Sequence, residues 1–222
     1  MYVDKLASTA PESGDLAFGS ALHSAINGVL TGQNGEELFE IYWNSYQDKE
    51  IVYGRFKWAE LKELGLKFLS KFSRLHSGKY SVSRAEQRLY GEYRGVKFEG
   101  TPDFLGLYGG KPSLRDFKTS GYNYPKEKED TALQLYLYAY LAVSAADFYP
   151  ETLGYDVFNK GTGSIQTMTW DYDKYTMFKY LDDMVDYCEM IDKQTHYAKN
   201  PNACVMGSIK CSMFDQCWGK KK

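Results

Sequence analysis

The chain has 222 residues, 43% of them apolar and 25% charged, with 27 Lys and Arg against 29 Asp and Glu for a net charge of −2. This balance excludes disordered, collagen-like and coiled-coil classes. A chain of this length buries roughly 70% of the surface that its unfolded form exposes, so a core can form without disulfide staples. No apolar run approaches the roughly 20 residues of a membrane span, and Met1 is followed by no basic-then-apolar leader, so a cytoplasmic location away from membranes is expected. The small net charge excludes no partner, because a basic surface and an acidic site can cancel in the sum. Tyrosine is abundant, with 20 Tyr beside 12 Phe and 4 Trp. Such rings with a polar end suit either the periphery of a core or a platform for stacking bases.

In chain order, residues 15–75 read as helical. Leu16, Ala17, Leu22, His23, Ile26, Val29 and Leu30 recur at helical spacing, as do Leu38, Ile41, Tyr42 and Tyr46. A further helix over 58–75 carries Leu61, Leu64, Phe68, Leu69 and Phe72 on one face. Gly14-Asp15 is the expected cap of the first helix, and Gly32 to Gly35 the break after it. The period then changes. Four extended segments, 80–90, 93–98, 102–108 and 113–118, are separated by Gly91, Gly100 and Gly109-Gly110 and predict an antiparallel meander. A helix over 131–146, strands over 152–158 and 164–170, and a last helix over 173–197 follow. The pattern predicts one α/β domain spanning 1–222: a helical collar (1–78), a sheet with its helix (79–170), and a last helix with a tail (171–222).

Chemistry concentrates in Gly100-Thr-Pro-Asp103 and, thirteen residues after that Asp, Asp116-Phe117-Lys118. Strand alternation puts Asp116 and Lys118 on one face and Arg115 and Phe117 on the other. A glycine turn brings Asp103 to the same face. Two carboxylates there suit a hard divalent cation, and an adjacent ammonium suits phosphodiester hydrolysis, where charge develops on phosphate oxygens. A surface ion pair on a hairpin is the plainer reading of Asp116 and Lys118. Gln134 and Tyr138 lie four apart on the following helix, one above the other.

Taken together, these elements resemble the PD-(D/E)xK nuclease superfamily, and specifically its RecB-like branch. The resemblance runs from about Gly19 to Cys217. It implies a restriction-endonuclease-like core, a central mixed sheet flanked by helices. It also implies Mg²⁺ or Mn²⁺ held by Asp103, Asp116 and the peptide carbonyl of Phe117, Lys118 at the attacking water, and a supporting Gln134 and Tyr138. Gly19-Ser-Ala-Leu-His23 matches the family's early Gly-xxx-His element, which makes His23 a metal ligand; alone, His23 on an apolar helix face reads as a packed core residue. Glu86 stands where the family carries an upstream carboxylate, or else is one more solvent-facing charge beside Arg84 and Arg88. Lys160 and the Lys126-Glu-Lys128 loop are candidate phosphate contacts, though charged loops are commonly just solvated.

All four cysteines, Cys188, Cys204, Cys211 and Cys217, lie in the last 35 residues. The last three resemble the late cysteines of iron–sulfur RecB-like nucleases, but the early cysteine of that pattern is missing. Cys188 would have to stand in as the fourth ligand of a [4Fe–4S] cluster. Zinc, with or without His196, and plain reduced thiols stay open as alternatives.

The resemblance implies a DNA exonuclease acting on single-stranded or unwound ends in recombination, repair or phage DNA metabolism. Its implied partners are DNA and a recombinase, helicase or single-strand-binding protein, and its implied setting is bacterial cytoplasm or that of a phage host. An endonuclease with the same site, of structure-specific or restriction type, and a DNA-binding module without turnover are the alternatives.

Overall fold

The computed structural model describes residues 12–84 and 87–193, and the backbone of 205–206 and 209–210. Five strands form a mixed sheet. In chain order the elements are β1 (Glu12–Ser13), α1 (Gly14–Leu30), α2 (Gly35–Asn44), β2 (Ile51–Val52), α3 (Trp58–Leu75), β3 (Tyr80–Arg84), β4 (Leu89–Tyr93), β5 (Val96–Gly100), β6 (Phe104–Tyr108), β7 (Lys111–Ser120), α4 (Leu133–Ala146), β8 (Thr152–Asn159), β9 (Ser164–Asp171), α5 (Lys174–Lys193), β10 (Val205–Met206) and β11 (Ile209–Lys210). The sheet order is β3-β6-β7-β8-β9. Only β7 and β8 run parallel, joined through α4 as a parallel pair requires; the other neighbours are antiparallel. Among the described residues no helix is long and apolar enough to cross a membrane.

Strand alternation sorts the core into two layers. Phe104, Phe117 and Phe158 point to one face, where Phe18, Leu22 and Ile26 of α1 meet Phe68, Leu69 and Phe72 of α3. Leu105, Leu114, Leu153, Tyr155 and Val157 point to the other face, against Leu135, Ala139 and Ala142 of α4 and Met177 and Leu181 of α5. The β8 strand, buried on both sides throughout, lies at the junction of the layers.

Three local expectations are corrected. The α1 cap is Ser13, whose hydroxyl accepts from the Asp15 N–H at 3.3 Å, so Gly14 and Asp15 already lie inside the helix. The segment 80–98 does not run as part of a single meander: β4 and β5 pair only with each other, as a hairpin turned at Arg94 and Gly95, both at positive φ (50° and 80°). Gly91 and Gly100 lie within these strands and do not break them. They are glycines because α4 passes closely: a Cβ on Gly91 would stand 2.8 Å from Leu141 Cδ2, and one on Gly100 would stand 2.5 Å from the Tyr138 ring. The last helix is described to Lys193.

A buried polar network crosses the α3-facing side of the sheet. Arg115, fully buried, donates through Nε to Asp156 Oδ2 at 2.8 Å and through its other nitrogens to Thr169 Oγ1 and the carbonyls of Tyr155 and Met168. The Tyr80 hydroxyl donates to Asp156 Oδ2 and the Thr167 hydroxyl to Oδ1, so both charges are hydrogen-bonded as well as paired. Gly154, opposite Arg115 in the register, leaves room for the guanidinium; a Cβ there would lie 2.4 Å from Nη1.

Candidate active site

The site forms where the sheet is incomplete. The β6–β7 ladder stops at the pair Phe104 and Arg115, while β7 continues to Ser120 with only β8 beside it. In the notch so formed, Asp103, just before β6, takes the place of a strand partner: its Oδ2 accepts the Phe117 N–H at 2.7 Å. Pairing through a side chain ends the ladder without stranding a backbone donor. It also fixes Asp103 beside Asp116.

Around this notch the alternation of β7 distributes the groups. Asp116 and Lys118 face α4. Asp116 is 2% exposed, and its Oδ2 lies 2.6 Å from Lys118 Nζ. The same ammonium donates to Gln134 Oε1 at 3.0 Å, and Gln134 Nε2 donates to the Tyr138 hydroxyl at 2.8 Å, the expected i, i+4 contact on α4. Phe117, on the opposite face, meets the His23 ring edge to face at 6.2 Å. His23 Nδ1 lies 3.6 Å from Asp103 Oδ1, so α1 closes the notch from its own side. A Cβ on Gly19 would make only an ordinary contact, 3.5 Å from Thr119 Oγ1, so the approach of α1 to β7 does not demand that glycine.

The electrostatics show one imbalance. Burial first, and then the charge of Asp103, push the Asp116 carboxyl up to about 7, against the lowering effect of Lys118. Burial alone would lower Lys118, but Asp116 and Asp103 outweigh it and hold the ammonium above its ordinary range. Burial likewise lowers His23, and the hydrogen bond and charges of the aspartates reverse the sign, leaving it raised. The Asp116 shift comes first from burial and then from the second carboxylate, whereas Lys118 and His23 are raised by the two carboxylates against the effect of burial. A divalent cation would relieve all of these shifts.

The residues therefore fit a hard divalent cation. The donors are carboxylate oxygens with one imbalanced charge and an imidazole at the rim, the chemistry of Mg²⁺ or Mn²⁺ sites. Among the described residues, however, no three His, Cys, Asp or Glu side chains are gathered closely enough to cage a metal. Lys118 holds the position against Asp116 in their stead, and the peptide of Phe117 enters through its N–H bond to Asp103.

Of the residues expected from sequence, Asp103, Asp116, Lys118, Gln134, Tyr138 and His23 come together. Glu86, Cys204, Cys211, Cys217 and His196 lie outside the described residues. Cys188 is half-buried on α5. Lys160 is corrected as a free phosphate contact: it is 8% exposed and paired with Asp15 of α1. Lys128 sits over the Tyr124 ring, 5.5 Å from its centroid. Sequence reasoning missed Tyr155, which lies beside Asp116 in the β7–β8 register and whose phenol is raised by burial and by that carboxylate. No pattern along the chain carries this, because it depends on the parallel pairing of two strands separated by a helix.

A search of curated proteins finds no match to this sequence. Among solved structures, a candidate exonuclease from Eubacterium rectale superposes with a TM-score of 0.53 at 12% identity, covering 91% of this chain and 80% of that one. The protein SSO0001 matches at 14% identity over 83% of this chain and 80% of its own, with a TM-score of 0.33, too low to bear on the fold. The former shares the fold: a central mixed sheet flanked by helices, like that of restriction endonucleases. The sequence model of the PD-(D/E)XK nuclease superfamily matches residues 1–217. With two aspartates and a lysine meeting in the sheet notch, and that match running over nearly the whole chain, the protein belongs to the PD-(D/E)XK nuclease superfamily.

Proposed function

We propose that this chain is a divalent-metal-dependent deoxyribonuclease of the RecB-like branch, acting as an exonuclease on single-stranded or unwound DNA ends. One observation carries the reading: Lys118 Nζ is held between Asp116 Oδ2 at 2.6 Å and Gln134 Oε1 at 3.0 Å, with Asp103 locked onto the neighbouring peptide. Asp103, Asp116, His23 and the Phe117 carbonyl would hold the cation, which when bound supplies positive charge at the scissile phosphate and polarises a water. In the metal-free site Asp116 and Asp103 hold Lys118 as an ammonium, so it stands beside the reacting phosphate as a hydrogen-bond donor and a positive charge. It orients the attacking water and neutralises the phosphate oxygen that gains charge. Gln134 accepts from the ammonium and aims it, and Tyr138 receives the amide N–H so that Gln134 keeps its carbonyl towards Lys118. The exonuclease assignment draws support from the E. rectale fold match, and the RecB-like assignment from the Gln134 and Tyr138 pair on α4.

The test compares the protein with Lys118→Ala on end-labelled linear single-stranded, linear duplex and circular DNA, in Mg²⁺, Mn²⁺ or EDTA. Metal-dependent loss of linear DNA with circles intact, absent in the variant but with DNA binding retained, is the expected result. Cut circles would make it an endonuclease. Full activity in Lys118→Ala would overturn the site.

A further inference from the structure

We infer that the DNA strand reaching the notch runs over the β8–β9 turn and onto α3, with Lys67 and Lys71 as its phosphate contacts; this rests on the nuclease reading. The notch opens to solvent between Leu16 and Ser20 of α1 and Lys118 and Thr119 of β7. The β8–β9 turn abuts that mouth. The Lys160 N–H donates to the Ser120 carbonyl at 2.7 Å, and the Lys160 side chain pairs with Asp15 on the rim. From the far side of the same turn, Lys71 Nζ donates to the Gly163 carbonyl at 2.7 Å. Lys67, one turn earlier on α3, brings its Nζ to 3.1 Å from where a Cβ on Gly163 would stand. It is exposed and has no ion-pair partner among the described residues.

The turn itself suits a passing backbone. Gly161 and Gly163 add no bulk, and the Thr162 and Ser164 hydroxyls stand 2.6 Å apart, with Thr162 exposed. Of the nearby acids, Asp15 is paired with Lys160; Glu60 and Glu63 of α3 keep their charge, and neither forms an ion pair with Lys67 or Lys71 among the described residues. The other side of the molecule is the wrong sign. The α5 helix carries Asp182, Asp183, Asp186, Glu189 and Asp192 against three lysines, with Arg94 paired to Asp182 and Asp186; α3 carries Lys62, Lys67, Lys71 and Arg74 against two glutamates, with Lys62 paired to Glu40, one of three glutamates on the neighbouring α2. A polyanion at the mouth is therefore drawn towards α3 and away from α5.

The experiment measures fluorescence anisotropy of fluorescein-labelled oligothymidylate bound to the full chain in the Lys118→Ala background, across a series of KCl concentrations. Lys67→Gln should weaken binding by roughly 3- to 10-fold and reduce the slope of log K against log salt by about 0.7, the value for one phosphate contact on single strands. Lys71→Gln should do the same, and Lys174→Gln on α5 should change neither. Lys67 carries the decisive test, since it has no partner whose loss would disturb the fold. An unaltered slope for Lys67→Gln, when the Lys118→Ala protein binds DNA and the parent with Lys118 intact cleaves it, overturns the track alone. A parent protein that neither binds nor cleaves DNA overturns the nuclease reading beneath it. A slope reduced equally by Lys174→Gln overturns the sidedness.

Discussion

At the scale of single residues, the notch depends on a glycine that does not touch it. Gly100 leaves room for the Tyr138 ring, which a Cβ there would meet at 2.5 Å; the Tyr138 hydroxyl accepts from Gln134, and Gln134 accepts from Lys118. Gly100→Ala should push the ring aside and cut turnover at least 10-fold with little change in Tm. Because the effect passes through the tyrosine, Gly100→Ala should add little in a Tyr138→Phe background; steady-state kinetics of the double-mutant cycle measure this. Asp116 shows the opposite relation between activity and stability. Burial and the Asp103 charge together outweigh the Lys118 ammonium 2.6 Å away, so ionised Asp116 destabilises the metal-free protein; at a pH where it is ionised, Asp116→Asn should raise Tm in EDTA and abolish the Tm increase that Mn²⁺ produces in the parent. A thermal-shift titration checks both signs. His76 sets a pH dependence away from the site. It stacks on Phe72 at the end of α3, its buried Nδ1 has no hydrogen bond, and burial lowers it below 6.5. The unfolded chain therefore binds its proton more readily than the fold does. Stability from this group is full above pH 6.5 and is lost as pH falls through the lowered value. In His76→Gln, Tm should fall less between pH 7 and pH 5.

At the scale of elements, the sheet is held by charge as well as by apolar packing. Arg115 and Asp156 tie β7 to β8 across the buried face, with Tyr80 of β3 and Thr167 of β9 completing the bonds. Asp156→Ala would leave a guanidinium buried without its carboxylate, so a loss of roughly 3–5 kcal/mol in urea unfolding is expected. These bonds also illustrate what the sequence conveys. Strand alternation already places Asp116 and Lys118 opposite Arg115 and Phe117, and helical spacing already stacks Gln134 on Tyr138, because both periods are local. The choice of strand partner is not local. Nothing in the alternation of 80–98 separates a strand of the main sheet from the β4–β5 hairpin, and a glycine required by a passing helix looks the same as one required by a turn. Likewise, Lys160 reads as a free cation until the fold brings Asp15, 145 residues away, against it.

At the scale of the whole molecule, the two faces of the sheet have different work. The α1–α3 layer supplies His23 and the large aromatic core, whereas the uncharged α4 supplies Gln134 and Tyr138 and carries β7 over to β8. The notch lies between them, at the one end of β7 that lacks a neighbour on the β6 side. Most of the three-layer arrangement follows from hydrophobic period and connection length, but the notch does not, since it is defined by where one ladder stops.

The bond from the Phe117 N–H to Asp103 bears on which inactive form of the protein to make. The usual alanine at a first aspartate would remove a charge and also uncap a backbone donor inside the sheet, so a silent Asp103→Ala would confound lost chemistry with a loosened strand. Asparagine keeps an acceptor oxygen for that peptide. Asp103→Asn is thus the form in which a trapped DNA complex would report the undistorted enzyme, and the gap in Tm between the two substitutions would weigh how much of Asp103 is architecture.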